Sequence, residues 1–311
     1  MFIVSNLDLL PAATRRAYLA IGNFDGVHKG HQALLNRLRR RADAAGARAI
    51  ALSFEPRPVE LLRPDSAPVP LTWPERKVEL LLQAGAHDVG FFQTGPWLLG
   101  LTAREFFDRV ILGLFHARGL VEGPTFAFGR DRDGDTKLLG EWCRHSGLEF
   151  EVVEPLELDA GLITTTRIRQ ALQHGDAASA ARWLGRPHRI IGQVVRGQGR
   201  GAGFGFPTAN LDGIRGLVPG HGVYAAWATA AGLAEQRPAA VHIGPNSTLG
   251  ATAVTVEAHL LDFSGDLYGQ VLNLDFTAQI RGTRKFDGIP ALLAQIARDV
   301  QETRDSLNLD H

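Results

Sequence analysis

Apolar residues in the first half of the chain fall into short runs that alternate with segments of helical spacing. The run at 17–24, AYLAIGNF, reads as a buried strand, and 31–46, HQALLNRLRRRADAAG, as a helix with Leu34, Leu35 and Leu38 in one stripe and Gly46 as its stop. RAIALSF (48–54) is the next strand, PERKVELLLQAG (74–85) a helix capped by Gly85, and HDVGFF (87–92) a strand. Residues 102–113 open on a capping box, Thr102 with Glu105 three residues on. A strand at 118–123, a helix at 135–147 and a strand at 148–154 follow. This β-α-β-α order predicts a Rossmann-like parallel sheet with helices on both faces.

Two short helices, 164–175 and 176–185, end that pattern. From 187 the chain changes to alternating or short apolar runs broken by Gly and Pro: 187–195, 222–230, 238–244, 253–263 and 270–280. These predict a small antiparallel β-barrel. A helix over 289–307, with Leu292, Leu293, Ile296 and Val300 on one face, is expected to close it. The boundary is placed at Gly185, giving domains 1–185 and 186–311.

Composition narrows the classes. A length of 311 residues suits two domains of about 150 each, and 45% hydrophobic content supplies two cores. Formal net charge is zero, so no global field favours nucleic acid or an anionic membrane surface, while a local patch could still bind phosphate. No run reaches the length of about 18 apolar residues needed to span a bilayer, and the start MFIVSNLDLL lacks the form of a signal peptide. A cytoplasmic enzyme fits. The single cysteine, Cys143, is read as a buried, inert thiol. Oligomeric state leaves no signature in the pattern. Glycine, at 35 residues, is the unusual number, and much of it clusters at 195–222.

The decamer GNFDGVHKGH, 22–31, holds three glycines and two histidines where a strand turns into a helix. In an open α/β sheet, ligands bind beyond the carboxyl ends of the strands. The following helix offers unpaired N–H groups and a partial positive charge to phosphate. Gly26 and Gly30 permit close backbone approach, and His28 and His31, three apart, face one site. Zinc is the weaker reading, because the context is not a helical His-Glu-x-x-His pair. The decamer resembles the His-x-Gly-His nucleotidyltransferase superfamily. With Phe24-Asp25-Gly26 it resembles the FAD synthetase half of bacterial bifunctional riboflavin kinase/FAD synthetases. ITTTRIR (163–169), about 135 residues on, matches the superfamily's second mark. LSFEPRP (52–58), LTWPERKVELL (71–81) and FAFGRDRDGD (126–135) extend the resemblance over the first half. It implies that His28 and His31 act on the transferring phosphate, and that Asn23, Phe24, Gly26, Gly30, Thr164, Thr165, Arg167 and Arg169 bind ATP. It also places Arg57, Thr125 and Phe126 at the flavin.

The glycine stretch GQVVRGQGRGAGFGFPTANL (192–211) fails as a dinucleotide fingerprint, since no amphipathic helix follows it. It resembles the riboflavin kinase module of the same family. That resemblance implies a phosphate-covering loop with Gly199 and Gly203, and Mg²⁺·ATP held by Thr208 and Asn210, whose oxygens are hard ligands. It makes Glu257 the general base, and gives Arg281 a phosphate or flavin contact. Riboflavin, FMN and FAD are then substrates or products, with ATP as co-substrate. The sequence departs from the family pattern at Arg57, at Thr125 after Pro124, at His242, Ser247 and Leu249, and at Thr283. The first two leave a kinase with a lost or altered adenylyltransferase as one alternative. A nicotinamide oxidoreductase and an RNA binder using the Arg/Gly stretch 196–205 are the others.

Overall fold

The protein is described from a computed structural model, which covers residues 1–7, 14–197, 205–245 and 254–309. The chain forms two compact units, residues 1–69 with 73–164, and residues 70–72 with 165–311.

The first unit is built on a six-stranded parallel sheet: β1 (Phe2–Val4), β2 (Tyr18–Ile21), β3 (Ala49–Glu55), β4 (Asp88–Gln93), β5 (Gly119–Glu122) and β8 (Glu149–Val152). Their order across the sheet is β1-β4-β3-β2-β5-β8. Side chains on a strand alternate between faces, and both faces are covered here. Leu19, Ile21, Ile50 and Leu52 enter one core with Phe92, Phe106, Phe107 and Leu139. Tyr18, Ala20, Ala49 and Ala51 enter a second, with Leu35 and Leu38 of α1 (Lys29–Ala44) and Leu80 and Leu81 of α3 (Pro74–Gln83). The expected stripe on α1 is therefore the packed one. α2 (Pro58–Leu62) and α4 (Pro96–Leu99) are short connectors, and a two-stranded hairpin joins β6 (Ala127–Phe128) to β7 (Gly134–Asp135).

The capping box forms: the Glu105 N–H donates to Thr102 Oγ1, and the Thr102 N–H donates to the Glu105 carboxylate at 2.9 Å. The segment it starts is not a uniform α-helix as expected. After α5 (Ala103–Glu105) the turns widen to a π-helical spacing over Phe106–Leu114. That spacing turns Phe106, Phe107, Val110, Ile111 and Leu114 all into the core. α6 (Thr136–His145) buries Cys143 completely, and loss of water pushes its thiol up to about 12, the inert thiol expected.

The second unit is a closed six-stranded antiparallel barrel in the order β10-β13-β12-β11-β14-β9. Its strands are β9 (His188–Val195), β10 (Ala209–Arg215), β11 (Gly222–Thr229), β12 (Arg237–Pro245), β13 (Val254–Leu260) and β14 (Val271–Arg281). β10 escapes the periodicity because a bulge between Asp212 and Arg215, with Gly213 at φ +58°, breaks its alternation. Two helices from the end of the expected first domain, α7 (Thr165–Gln173) and α8 (Ala177–Leu184), belong to this unit: α8 packs on β14 and β9, and Ala177 joins the barrel core.

α9 (Ile289–Ser306) closes the barrel over β11, β12 and β14, but not by the expected face. Its buried residues are Gln295, Asp299 and Thr303, four apart, while Leu292, Leu293, Ile296 and Val300 flank them half-buried. Polar groups occupy the seam because they are bonded there. Asp299 receives Arg281 and the Gln295 amide, and Thr303 Oγ1 donates to the Asp299 carbonyl at 2.7 Å.

Candidate active sites

In the first unit the chain runs from β2 outward to β3 and β4, then returns past β2 to β5 and β8. The point where order reverses lies between β2 and β5, the usual ligand crevice of such sheets. Three segments leave the carboxyl ends of neighbouring strands there: 22–28 after β2, Pro56-Arg57-Pro58 after β3, and Pro124-Thr125-Phe126 after β5.

The first of these is tightly wound. Phe24, Gly26 and Val27 all have positive φ, at +45°, +80° and +40°. For a β-branched residue this costs on the order of 1–3 kcal/mol. Burial offsets it: Phe24 is 4% exposed, Val27 is fully enclosed, and the Val27 N–H donates to the Phe24 carbonyl at 3.2 Å. The turn delivers His28 as the N-cap of α1, where its Nδ1 accepts the His31 N–H at 3.4 Å. With Nδ1 accepting, a neutral ring carries its proton on Nε2. The two imidazoles stack at 3.7 Å, and Phe24 meets His31 edge-on at 5.3 Å. A Cβ on Gly30 would press on the His28 ring at 3.2 Å, so a larger residue there would have to push the ring aside. No acidic side chain occupies the first turn of α1, which leaves its positive end for an anion.

Ile163, the residue before Thr164, brings its carbonyl within 3.9 Å of where a Gly30 Cβ would stand. Gly26, His28, Gly30, His31 and the 163–164 segment therefore share one corner of the unit. Asn23 is exposed beside them. Thr165, Arg167 and Arg169 lie on α7 in the second unit, where Arg167 stacks over Trp183 at 4.0 Å. Arg57 turns inward instead of presenting its fork: it is 6% exposed, with Nη2 on Glu60 and on the Pro68 carbonyl, both at 2.6 Å. Thr125 is exposed, and Phe126 stacks on Phe128.

Sequence reasoning passed over the buried polar groups beneath this corner. Asp25, Ser53 and Lys77 are each no more than 4% exposed. Glu122, 1% exposed, accepts the Ile21 N–H at 2.9 Å where β2 and β5 cease to pair. Burial raises its carboxyl well above the usual range and so favours its neutral form. Lys77 shares a helix face with Leu80 and Leu81, three and four residues on, a spacing the sequence already shows.

In the second unit, register brings together residues of the expected site. Asn210 lies directly opposite Glu257, and Glu257 directly opposite His242, so three polar side chains share one row across β10, β13 and β12. Their chain neighbours Leu211, Val256, Ala258, Val241 and Ile243 fill the barrel core, which puts the row on the outer surface. Gly197 packs its bare backbone against the Asn210 amide. The Phe206–Thr208 segment is tied to β13 by His259, whose Nδ1 meets the Pro207 carbonyl at 2.8 Å. Thr208 and Glu257 are half-buried. Gly199, Gly203, Ser247 and Leu249 lie outside the described residues. Arg281 grips Asp299 with both arms of its fork, at 2.8 and 2.6 Å, and ties β14 to α9. Among the described residues no cluster of three His, Cys, Asp or Glu has metal-binding geometry.

Comparison with known proteins matches each half separately. A family model described as FAD synthetase covers residues 10–167, and one described as riboflavin kinase covers 184–307. The bifunctional riboflavin kinase/FMN adenylyltransferase of Pseudomonas fluorescens is 37% identical over 98% of this chain and 97% of its own. Its namesake in Escherichia coli K12 is 34% identical over 97% of this chain and 96% of its own. The chain belongs to the bifunctional riboflavin kinase/FMN adenylyltransferase family. A crystal structure from Streptococcus pneumoniae, described as a macrolide-efflux protein, has the same fold, with a TM-score of 0.86, 28% identity, and coverage of 97% of this chain and 98% of its own. No helix among the described residues is long and apolar enough to cross a membrane.

Proposed function

We propose that the family's two reactions run in series on this chain, each at one of the two sites above. The barrel phosphorylates riboflavin with ATP to give FMN, and the N-terminal unit joins FMN to the adenylyl group of a second ATP, giving FAD and pyrophosphate. The functional halves are 1–185 and 186–311, with α7 and α8 packed on the barrel. The observation that carries the reading is the stacked His28–His31 pair, held at a strained strand-to-helix turn in the sheet's crevice.

Both reactions are in-line transfers at phosphorus, so positioning and charge stabilisation do most of the work. In the first unit the His28 Nε2–H, His31 and the open first turn of α1 gather around the α-phosphate of ATP. They hold the charge that builds as the FMN phosphate attacks and pyrophosphate leaves. In the barrel Glu257 takes the proton of the ribityl 5′-hydroxyl as its oxygen attacks the γ-phosphorus. Thr208 and Asn210 offer a hydroxyl and an amide oxygen beside the Glu257 carboxylate, a hard-donor set that fits Mg²⁺. The ion would supply charge neutralisation on the ATP phosphates. Arg57 and Arg281, both committed to carboxylates, act as struts near their sites. Zero net charge fits small-molecule substrates and the cytoplasm, without nucleic-acid or membrane partners.

One incubation tests the reading. The protein is mixed with riboflavin, ATP and Mg²⁺, and the flavins are separated by chromatography. FMN followed by FAD is expected, and neither product would refute it. FMN without FAD would favour the second reading, a kinase with a lost adenylyltransferase. The inward fork of Arg57 speaks for that alternative, because its Nε and Nη2 are committed to Glu60 and the Pro68 carbonyl rather than to a flavin.

A further inference from the structure

Lys77 is a charged side chain in a place that water does not reach. It is 2% exposed, on the inner face of α3, with its ammonium 5.8 Å from the centre of the Phe91 ring. A lysine is almost never enclosed to this degree without partners. Its Nζ donates to Ser53 Oγ at 3.3 Å, and the fully buried Ser53 hydroxyl donates in turn to the Asn23 carbonyl at 3.2 Å. Asp25, Glu55, Arg57 and Glu60 surround the ammonium, with Arg57 Nη1 3.9 Å from Asp25 Oδ2. Burial lowers the lysine's pKa, while Asp25 and Glu55 oppose that loss and favour the charged form.

The relay ends on one peptide. The Asn23 carbonyl belongs to the same amide as the Phe24 N–H, and among the described residues that N–H has no acceptor. A charge-assisted chain of hydrogen bonds into a carbonyl polarises its amide and strengthens the N–H at the other end. Phe24 also opens the positive-φ turn that leads to His28.

We propose that Lys77 is a positioning residue of the adenylyl-transfer site: through the Ser53 hydroxyl it fixes the Asn23–Phe24 peptide and primes its N–H for the transferring phosphate. The proposal rests on reading 22–31 as that site. It gives a buried lysine, reached by no substrate, a function in phosphate binding.

The test is a double-mutant cycle on FAD formation from FMN and ATP, with FMN formation from riboflavin by the same chain as the folding control. Ser53→Ala removes a single oxygen and is expected to lower kcat for FAD about tenfold, with KM for FMN within about twofold. Lys77→Met is expected to lose at least as much, and the double variant no more than Lys77→Met alone, because both cut one relay. If Lys77→Met does not fold, Ser53→Ala still decides. A kcat for Ser53→Ala within about twofold of the parent, or losses that multiply in the double variant, would overturn the relay. His28→Ala separates the two claims. If it abolishes FAD formation while Ser53→Ala does nothing, the site stands and the relay falls. If His28→Ala is harmless, the site reading fails and takes the relay with it.

Discussion

The two units build their proposed phosphate sites by opposite routes. In the parallel unit the site hangs beyond strand ends, on a turn with three positive-φ residues, and its support is a set of buried polar groups beneath: Lys77, Ser53, Asp25 and Glu122. In the barrel the site is a row, Asn210, Glu257 and His242, set by antiparallel register on an outer surface over an apolar core. Its buried charges sit elsewhere, between Arg281 and Asp299 at the closing helix. A strand end fixes where a ligand goes but not what the turn looks like, so the turn must be held by bonds from below. A barrel row is fixed by the ladder itself. Substitutions beneath the first proposed site are therefore expected to reach its chemistry, and those beneath the second mainly its stability.

The sharpest break in the comparison is chemical separation. Glu257→Gln keeps the shape of the row and removes the proposed base. FMN formation is expected to fall by roughly 10²–10⁴, while FAD formation from supplied FMN stays at the parent rate. His28→Ala should do the converse, lowering FAD formation by roughly 10²–10³ with FMN formation intact. Chromatographic separation of the flavins reads both. A variant that lowered both products while remaining folded would show one site, not two.

The routes also differ in what a sequence reveals. The parallel sheet was legible because fully buried strands such as AIALS are continuous apolar runs, and α1 carries its leucines three and four apart. The turn 22–31 was legible because Gly30 and the two histidines stand in a pattern that few other needs produce. The barrel strands were legible by alternation, except β10, where Gly213 and the bulge hide it. The polar seam of α9 was missed because Gln295, Asp299 and Thr303 look like a solvent face until Arg281 is placed opposite. Lys77 and Glu122 were missed for a related reason: a charged residue in an apolar stripe is informative only when its partner is known, and Ser53 and Ile21 are remote in sequence. Arg57 and Arg281 were assigned to ligands by analogy, and the carboxylates that hold them, Glu60 and Asp299, were not legible as their partners.

The units should also fail at opposite ends of the pH scale. In the barrel, His188 is fully enclosed with Nε2 on the Leu217 carbonyl at 2.7 Å, and burial lowers its pKa from 6.5 to about 4. The unfolded chain takes up the proton first as pH falls. The neutral imidazole's contribution is complete above pH 6.5 and is lost progressively towards pH 4, about 3 kcal/mol over that window. Thermal inactivation of riboflavin phosphorylation, assayed after return to neutral pH, should therefore shift to lower temperature between pH 6.5 and 4. A shift no larger than that of FAD formation would refute this assignment.

Glu122 gives the smallest effect and the opposite sign. Its folded pKa is raised, so the unfolded chain loses the proton first as pH rises. Its contribution is complete below the usual carboxylate value of 4.5 and declines upward from there. The titratable neighbour is Cys143, itself held neutral by burial, so no partner charge compensates. Glu122→Gln keeps an oxygen for the Ile21 N–H and cannot ionise. It should match the parent near pH 4.5 and melt higher, by a few degrees, at pH 8. The gain should appear in the heat resistance of FAD formation and not in that of FMN formation, since Glu122 lies in the first unit. A Gln variant no more stable than the parent at pH 8 would mean that the carboxyl is ionised there after all. The crevice between β2 and β5 would then hold a buried negative charge at the place proposed for the phosphates.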